Sequence, residues 1–464
     1  MIDIKKSKIA VLGLGREGLD LLKFLNKQKP DVVIGLDSRT DKDLSNLSEL
    51  KKLTTNLYLG ADHLKHFDEC DLVFKSPGVP NDLPEIKAAK KRGLTFSSVT
   101  QLFFDLCPAK IVGVTGTKGK STTSSLIHHL IKEQKTGKVY LKGNIGYPPL
   151  SLLSKLTKND VVVMELSSFQ LEDLNKSPAL AVVLNIVPEH LSRHKTFVNY
   201  LRAKSNLWLH QRKADYLIAS ADHKSTKIAI KESPAKAFKF SSRKVLSRGV
   251  YLSNGKIILR NSQTGKREVI VPSAEVPLLG RANLDNCMAA IAVAHLLKLP
   301  TAVIRKRLKS FKPLAHRLEL VGRLKKISFV NDSMATTPVA VLAAVDALDS
   351  PISLILGGVS KGEKMVDFIP LLNSPKLAAM VLIGQMADKL AKWLKQKRSQ
   401  VPAVKAKTLK EAIIKGARYL PEEENSTILL SPGFASFDMF KDAYDRGDTF
   451  KRIAKNMIKS KQIK

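Results

Sequence analysis

A glycine-punctuated stretch, KIVGVTGTKGKSTTSS at residues 110–125, contains the residue types that bind phosphate. The apolar run 111–114 predicts a buried strand, and a helix is predicted to open at 120–122. Between them, Gly116 and Gly119 allow backbone N–H groups to approach phosphate oxygens, and the helix N-terminus adds partial positive charge. Lys120 would then hold the β- and γ-phosphates, and the Ser121 hydroxyl a Mg²⁺.

The glycines fall at 113, 116 and 119, so the stretch departs from the strict G-x-x-x-x-G-K-[ST] signature. An ordinary strand-to-helix turn is the alternative interpretation. However, the predicted strand, loop and helix follow one another in the order that a phosphate loop requires, and the helix opens with Ser and Thr. This context favours the phosphate site. The stretch therefore predicts that the chain binds a nucleoside triphosphate.

Two further groups follow predicted buried strands downstream. Glu165 ends the run DVVVME, and the next strand, within ALAVVLNIVPEH, is expected to end near Glu189 and His190. Parallel strands would bring Glu165 and His190 to the same sheet edge as Lys120, where a carboxylate suits Mg²⁺. The alternative for His190 is local packing at a helix start. Lys204 lies on a predicted helix, and among 77 basic residues the pattern alone favours a solvated lysine.

The N-terminal stretch KIAVLGLGREGLDLLKFL predicts a strand, a Gly13-x-Gly15-x-x-Gly18 turn and an amphipathic helix. Asp37 ends the next strand, ~20 residues on, where an acid can hold a ribose hydroxyl. This predicts a Rossmann-like domain for a nucleotide-bearing ligand. NAD and a UDP-sugar both remain open, with NAD favoured by this stretch alone. A glycine turn needed only for helix packing is the third possibility.

The rest of the chain continues the alternation of strands and helices. Residues 240–275 predict a hairpin-like insertion with Asn-Gly and Thr-Gly turns, and a long helix follows Asn283 and Asn286. From about Pro313 another small parallel α/β sheet is predicted, without a phosphate loop. Polar residues at its strand ends suit a small carboxylate-rich molecule and the outer side of a nucleotide: Asp332, Ser333, Thr336, Lys361, Ser436 and Asp438.

Composition narrows the class of protein. A length of 464 residues predicts about three domains, which we place at 1–105, 106–312 and 313–464. The three cysteines form no C-x-x-C pair, which fits a reduced, cytoplasmic protein. No apolar span approaches bilayer length, so membrane insertion is not expected. The net charge of +35 is spread along the chain, which favours a solvated basic surface over a nucleic-acid footprint.

The motifs taken together resemble the Mur ligase family over essentially the whole chain. The matching set includes TGTxGKST at 115–122, GNIG at 143–146, His190, Lys204, Asn283, Asn286, His316-Arg317 and NDS at 331–333. The strings ELSSFQL at 165–171 and SPGFASFD at 431–438 are similar to the D-glutamate-adding branch of that family. Met334, Ala443, Ser192 and Lys118 stand where the family commonly has a lysine, an aromatic residue, an acid and an asparagine.

The resemblance implies a three-domain α/β ligase of peptidoglycan synthesis: Rossmann-like N-terminal and C-terminal domains flank a central P-loop ATPase-type sheet with a small β insertion. It would join D-glutamate to UDP-N-acetylmuramoyl-L-alanine through an acyl phosphate, releasing ADP and phosphate. The N-terminal glycines would then serve a UDP-sugar rather than NAD. We also expect a cytoplasmic monomer that binds no nucleic acid.

The resemblance also implies binding and catalytic roles for the residues at the matching positions. UDP-sugar contacts would be Leu14, Gly15, Arg16, Glu17, Gly18, Ser38, Arg39, Gly78 and Asn144. ATP would be held by Gly116, Thr117, Lys118, Gly119, Lys120, Ser121, Thr122, Asn283, Asn286, Arg317 and Asp332. Two Mg²⁺ ions would be served by Ser121, Glu165, His190 and a carbamylated Lys204, and Lys120, Glu165, His190 and Lys204 would be catalytic. D-Glutamate would meet Thr336, Lys361, Ser436 and Phe437.

Two rival functions come from other classes of protein. An NAD-linked oxidoreductase would use the first domain but leave the phosphate loop without a purpose. A nucleic-acid-stimulated ATPase would explain the charge but needs an aromatic-lined basic groove, which the sequence does not display.

Overall fold

The computed structural model describes residues 4–133, 136–261, 264–349 and 351–463. These residues form two compact units, 4–275 with 285–309, and 276–284 with 310–463. The first unit holds two sheets and the second holds one. Each sheet falls within one predicted domain range, while the boundaries themselves remain predictions. None of the helices in the described part of the chain combines the length and apolar character needed to cross a bilayer.

The first sheet is parallel, with the strand order β3-β2-β1-β4-β5. Alternate side chains of its central strand pack on opposite faces: Ile9 and Val11 join one apolar cluster, Ala10 and Leu12 the other. Burial of both faces is typical of a parallel sheet covered by helices. The strands are β1 (Lys8–Leu12), β2 (Val32–Asp37), β3 (Asn56–Leu59), β4 (Leu72–Lys75) and β5 (Thr95–Ser97), with helices α1 (Arg16–Gln28), α2 (Leu47–Lys51), α3 (Pro84–Lys91) and α4 (Val99–Leu106).

The second sheet has the order β14-β13-β12-β11-β10-β9-β6-β8-β7 among the described residues. Its strands are β6 (Lys110–Thr115), β7 (Val139–Gly143), β8 (Val161–Glu165), β9 (Leu180–Val183), β10 (Tyr216–Ser220), β11 (Lys236–Ser241), β12 (Gly249–Ser253), β13 (Lys256–Arg260) and β14 (Arg267–Pro272). Its helices are α5 (Lys120–Ile131), α6 (Ser168–Leu171), α7 (Leu191–His194), α8 (Phe197–Ser205), α9 (Lys224–Glu232), α10 (Arg281–Leu296) and α11 (Thr301–Ser310).

The registers of this sheet place the candidate site. β7, β8 and β6 run parallel side by side, pairing Gly143 with Glu165 and Glu165 with Val114. The phosphate loop after β6, the acid ending β8 and the residue after β7 therefore lie at one sheet edge, as predicted. The hairpin-like insertion is also confirmed, because β12, β13 and β14 pair antiparallel. The Thr-Gly turn predicted between β13 and β14 includes residues 262 and 263, which lie outside the described ranges.

The third sheet has the order β15-β16-β20-β17-β18-β19 within the described chain. The prediction of a wholly parallel sheet is wrong at one edge, because β15 and β16 form an antiparallel hairpin around a short turn. Its strands are β15 (Glu319–Leu324), β16 (Ile327–Asn331), β17 (Ile352–Gly357), β18 (Leu377–Ile383), β19 (Ala403–Lys405) and β20 (Ser426–Gly433), with helices α12 (Pro338–Asp346), α13 (Ala387–Gln396), α14 (Leu409–Ala417) and α15 (Ala443–Ser460). Between β17 and β18, Met365–Leu371 form a 3-10 helix that contains Pro370.

Candidate active site

The phosphate loop joins β6 to α5 as predicted, and two of its glycines are required by close approaches. A Cβ on Gly116, whose φ is +154°, would lie 2.7 Å from Leu184 Cβ. A Cβ on Gly119, whose φ is +87°, would lie 2.4 Å from Asn286 Oδ1. Any larger residue would push the loop away from its neighbours. The buried Asn286 side chain therefore helps to shape the loop.

Thr117 and Lys120 both make hydrogen bonds that hold the loop. The buried Thr117 hydroxyl donates to Val187 O and accepts from Val187 N, both at 2.9 Å, and lies 3.1 Å from the Tyr200 hydroxyl. Since Thr117 N also donates to Asn185 O, this residue supports the loop through contacts inside the protein. Lys120 Nζ donates to Gly116 O at 3.1 Å and Thr117 O at 2.9 Å, so the cation lies over the loop.

Glu165 is buried at the end of β8 beside the loop. Its Oε1 accepts a 2.7 Å hydrogen bond from Asn144 Nδ2, while Oε2 is buried and has no hydrogen-bond partner among the described residues. A buried carboxylate oxygen without a partner is costly, so a bound cation or donor at this point would be stabilising. Asn144, expected to contact the UDP-sugar, is thus also the residue that orients Glu165.

Lys204 is fully buried on α8, contrary to the solvated lysine that its sequence pattern favours. Its Nζ donates to Gly116 O at 3.0 Å and Thr115 Oγ1 at 3.2 Å, and lies 4.9 Å from the centroid of the Tyr200 ring. Burial, reinforced by the charge of Lys120, holds the pKa of Lys204 well below its usual range, although Glu189 and Glu165 act in the other direction. Burial therefore favours the uncharged amine more than it would for an exposed lysine.

His190 lies near this group but does not follow a strand end. β9 ends at Val183, so the prediction that it runs to about 189 is wrong; the backbone of Leu184 and Asn185 pairs instead with Thr115 and Thr117. His190 has a φ of +55° and precedes α7, with its half-exposed ring 5.0 Å from Phe169. Burial lowers the pKa of His190, and the nearby Lys120, Lys204 and Lys118 add to the effect while Glu189 opposes it.

Lys118 and Glu189 form an ion pair at the mouth of the loop, with Nζ and Oε1 separated by 2.5 Å. The other Glu189 oxygen lies 3.8 Å from His190 Nε2. Sequence analysis did not select Glu189, although an acid next to His190, together with the basic Lys118, was the available signal. In the described chain, no three His, Cys, Asp or Glu side chains converge as a ready-made metal cluster.

The N-terminal glycine turn is held by Asp37. Its Oδ2 accepts from Leu14 N at 2.7 Å, and Arg39 donates through Nε to Oδ1 at 2.9 Å and through Nη2 to Oδ2 at 2.7 Å. The acid that a dinucleotide interpretation would place on a ribose is thus used inside the protein. Leu14 is buried and its carbonyl accepts from Asn46, so both of its backbone groups are also engaged.

The remaining predicted UDP-sugar residues lie around this turn. A Cβ on Gly18 would lie 2.2 Å from Gly13 O, which explains the tight glycine spacing. Glu17 turns inward: its Oε1 accepts from Gln170 Nε2 at 2.8 Å, and burial raises its pKa. The backbone or side chains of four others are exposed: Arg16, Ser38, Arg39 and Gly78. Gly15 is partly buried and a Cβ there would meet no atom within 4 Å.

In the second unit, predicted contacts follow the carboxyl ends of neighbouring strands. Asp332 comes directly after β16, Lys361 after β17 and Ser436 after β20, and these three strands are adjacent in the sheet. Lys361 Nζ lies 4.8 Å from the centroid of the exposed Phe437 ring. Thr336 is partly buried and lies four residues after Asp332 in the sequence.

Asp332 is buried and accepts hydrogen bonds from Leu318 N at 3.1 Å and Ser431 Oγ at 3.0 Å. Burial raises its pKa to about 7, with the nearby Arg317 acting in the opposite direction. Asn283 lies inside the first turn of α10, which begins at Arg281 rather than after the two asparagines as expected. The Asn283 amide donates to Leu279 O at 2.7 Å.

Sequence analysis missed Arg446, which organises this edge. Fully buried, it donates to Ser333 Oγ at 3.0 Å, to Ser333 O at 2.9 Å and to Phe434 O at 3.1 Å. Burial lowers its pKa to about 10. One arginine among 77 basic residues gives no local signal, since its burial depends on how α15 packs.

Comparison with known proteins agrees with this arrangement. Three family models match: the Mur ligase MurD-like N-terminal domain at residues 7–98, the Mur ligase middle domain at 114–294 and the Mur ligase glutamate ligase domain at 316–434. Proteins named UDP-N-acetylmuramoylalanine–D-glutamate ligase are similar over nearly their whole length. That of Thermoanaerobacter pseudethanolicus is 36% identical over 97% of this chain and 98% of its own, and that of Clostridioides difficile 35% over 98% and 100%.

Solved structures share the fold at low identity. The chain matches the UDP-N-acetylmuramate–alanine ligase MurC of Thermotoga maritima with a TM-score of 0.56 and 18% identity, covering 98% of this chain and 100% of that one. It matches the MurF ligase of the same organism, solved with ADP, with a TM-score of 0.59 and 16% identity, covering 99% and 96%. The architecture is thus the three-domain α/β fold of these ligases, and the sequence relationship shows that this chain belongs to the Mur ligase family.

Proposed function

We propose that this chain is an ATP-dependent ligase that joins D-glutamate to UDP-N-acetylmuramoyl-L-alanine in peptidoglycan synthesis, releasing ADP and phosphate. The observation that carries the proposal is the sheet edge where the phosphate loop, Glu165 and Asn144 meet, in a chain 36% identical to a protein named for this activity. The enzyme is further proposed to act as a cytoplasmic monomer.

The reaction needs ATP because a carboxylate is a poor electrophile. A carboxylate oxygen of the terminal L-alanine forms a bond to the γ-phosphorus, and the bond from that phosphorus to the β–γ bridging oxygen breaks, so ADP leaves with the electron pair. The D-glutamate nitrogen then forms a bond to the acyl carbon. Phosphate departs with its electron pair, and the nitrogen loses a proton.

The loop residues would neutralise charge during the first step. Lys120 Nζ is held over the loop by two carbonyl oxygens, from which it could exchange onto the β- and γ-phosphates. The backbone of Lys118, Gly119, Ser121 and Thr122 at the start of α5 would supply the N–H groups and the positive helix end. Thr117 would act indirectly, by fixing the loop against Val187 and Tyr200.

The oxygen groups beside the loop fit magnesium. Glu165 offers a buried oxygen without a described partner, and Ser121 offers a hydroxyl at the helix start. When bound, Mg²⁺ would neutralise negative charge on the phosphates. We propose two ions, with Ser121, Glu165, His190 and a modified Lys204 as their protein ligands.

Lys204 is proposed to carry a carbamate. Its nitrogen would form a bond to the carbon of CO₂ and lose a proton, which requires an uncharged amine. Its burial and its lowered pKa support that state. Carbamate oxygens are the ligand type that Mg²⁺ prefers, whereas an ammonium group would repel the ion.

The remaining substrate contacts are proposed from residues at the glycine turn and at the strand ends of the second unit. Around the N-terminal turn we propose Gly15, Arg16, Gly18, Ser38, Arg39 and Gly78 for the UDP-sugar, with Asn144; Leu14 and Glu17 would shape the turn from within. In the second unit, Thr336, Lys361, Ser436 and Phe437 are proposed for D-glutamate. Asn283, Asn286, Arg317 and Asp332 are proposed for the nucleotide.

A phosphate-release assay tests the function. We expect release to require ATP, Mg²⁺ and the UDP-sugar together, and to respond to D-glutamate but not to L-glutamate or D-alanine. Lys120→Ala should lower turnover by ~10²–10³, the usual effect of losing one transition-state charge contact. Lys110→Ala is the matched control, because Lys110 lies at the exposed start of β6, the strand that precedes the phosphate loop. This variant should retain activity. Equal rates with L-glutamate, or release without the UDP-sugar, would contradict the proposal.

A further inference from the structure

The second unit contains a large cavity whose lining includes none of the residues proposed for D-glutamate or nucleotide. It has a volume of about 870 Å³ and opens at the carboxyl ends of β18 and β19, beside α13 and α14. Cavities of ~300–1,000 Å³ commonly hold small-molecule ligands, and the carboxyl edge of a parallel sheet is where such ligands bind. Position and size therefore both suit a metabolite.

Charged side chains dominate one side of this cavity. One face of α14 and its flanks presents Lys407, Glu411, Lys415 and Arg418, and the neighbouring elements add Lys405 and Asp388. Residues spaced by three or four positions share a helix face, so Glu411, Lys415 and Arg418 project together, while Lys407 precedes the helix N-cap Thr408. Four cations and two carboxylates leave the wall net positive.

Both carboxylates are already neutralised within the wall. Lys405 Nζ lies 2.7 Å from Asp388 Oδ1, and Lys415 Nζ lies 2.7 Å from Glu411 Oε1. Lys415 also donates to Lys405 O at 2.8 Å, which fixes α14 against β19. Lys407 and Arg418 make no side-chain hydrogen bond or ion pair among the described residues. The excess charge is thus carried by one lysine and one arginine.

The rest of the cavity is apolar. Val404, Ala406 and Met439 contribute to its lining, and Tyr419 is 40% exposed beside Arg418. A guanidinium is suited to phosphate, and an accessible aromatic ring to a flat or apolar body. We propose that this cavity binds a small phosphate monoester with a flat body, its phosphate held by Arg418 within the net positive wall that Lys407 reinforces, and its body placed against Tyr419 and Met439.

The site is separate from the proposed reaction but adjoins one of its loops. Met439 N donates to Ser436 O at 3.2 Å, and Gln385 N, next to the cavity-lining Gly384, donates to Asp438 Oδ2 at 2.8 Å. The occupant would therefore touch the segment that contains Ser436 and Phe437. Binding itself does not depend on the proposed function and is measured without turnover.

Calorimetric titration of the full chain with phenyl phosphate tests the proposal. We expect saturable binding at one site that is retained in Lys120→Ala, which alters the phosphate loop instead. The double variant Lys407→Ser/Arg418→Ser should weaken binding by about tenfold or more, because the guanidinium contact and a second positive charge of the wall are lost. The control Lys455→Ser/Lys459→Ser removes two exposed lysines of α15 and should bind as the wild type does.

Further measurements distinguish specific binding at this site from nonspecific attraction of anions to a basic protein. Inorganic phosphate should bind more weakly than phenyl phosphate, and Tyr419→Ala should remove that difference. A thermal melt of each variant in the same buffer shows whether it is folded. Absence of saturation, equal losses in the two double variants, loss in Lys120→Ala, or equal binding of inorganic phosphate would each overturn the proposal.

Discussion

Asn144 Nδ2 donates a 2.7 Å hydrogen bond to Glu165 Oε1, and the other oxygen of that carboxylate is left buried without a described partner. The two residues end adjacent strands, and Asn144 N also donates to Glu165 O at 2.9 Å. The amide thus engages one carboxylate oxygen and leaves the other buried and available to a ligand. It links the residue expected to contact the UDP-sugar to the residue expected to contact the metal.

Asn144→Ala should therefore weaken the response to Mg²⁺. Residues that orient a metal ligand commonly contribute ~10–100-fold to affinity or activity, and we expect a loss of that size. The measurement is the Mg²⁺ dependence of phosphate release at saturating substrates. If Asn144 serves the UDP-sugar alone, its KM will rise while the Mg²⁺ dependence stays unchanged, and the orienting role is then excluded.

Lys204→Ala should abolish the modification proposed at this position. A carbamate formed from ¹³C-labelled bicarbonate adds a carbonyl signal to the NMR spectrum of the wild-type protein, and the variant should lack it. Lys118→Ala is the matched control, because Lys118 lies near the same loop but is half exposed and paired with Glu189. A signal that persists in Lys204→Ala, or disappears in Lys118→Ala, would assign the carbamate elsewhere.

The phosphate site could be predicted because its determinants are local. The strand, the glycines and the helix start occupy consecutive residues, so β6 begins and ends within a residue of the expected positions and α5 begins where it was expected. The same holds for β8, whose five apolar and acidic residues have one continuous pattern. Parallel pairing then brings Glu165 to the loop without further information.

The surroundings of the site depend on contacts distant in sequence. The segment after β9 is not a regular strand, and its backbone is held by hydrogen bonds to Thr115 and Thr117, about 70 residues earlier. The edge strands β5 and β19 have three residues each, too few for a periodic pattern, and exist because a longer neighbour pairs with them. Burial of Lys204 and Arg446 likewise follows from helix packing, which no local pattern encodes.

Asp332 should make the stability of the second unit depend on pH. Burial raises its pKa to about 7 from an ordinary value of 3.8, so the folded state binds the proton more tightly than the unfolded state. The free energy of unfolding should therefore fall as pH rises from about 4 to about 7, by a contribution on the order of 4 kcal/mol.

Asp332→Asn removes that titration and isolates it from other groups. The variant should be more stable than the wild type at pH 8, and the difference should shrink toward pH 5, where the wild-type carboxyl is protonated. Hydrogen exchange of the β16 and β20 amides at several pH values reports on this unit directly. A difference between the two proteins that does not change with pH would contradict the raised pKa.

Gln170 should stabilise the packing of the first two sheets through Glu17. The two residues lie 153 positions apart, and Gln170 Nε2 is the described donor to Glu17 Oε1, while Glu17 Oε2 is buried without a partner in the described chain. Gln170→Ala would leave both carboxylate oxygens unsatisfied and should lower the free energy of unfolding by ~1–3 kcal/mol, measured by urea denaturation. Because Gln170 also accepts from Ser167, Gln170→Ala in a Glu17→Leu background provides the control. If Gln170→Ala has an equal effect with and without Glu17, the contact between these two residues contributes nothing, and the whole loss belongs to the cap at Ser167.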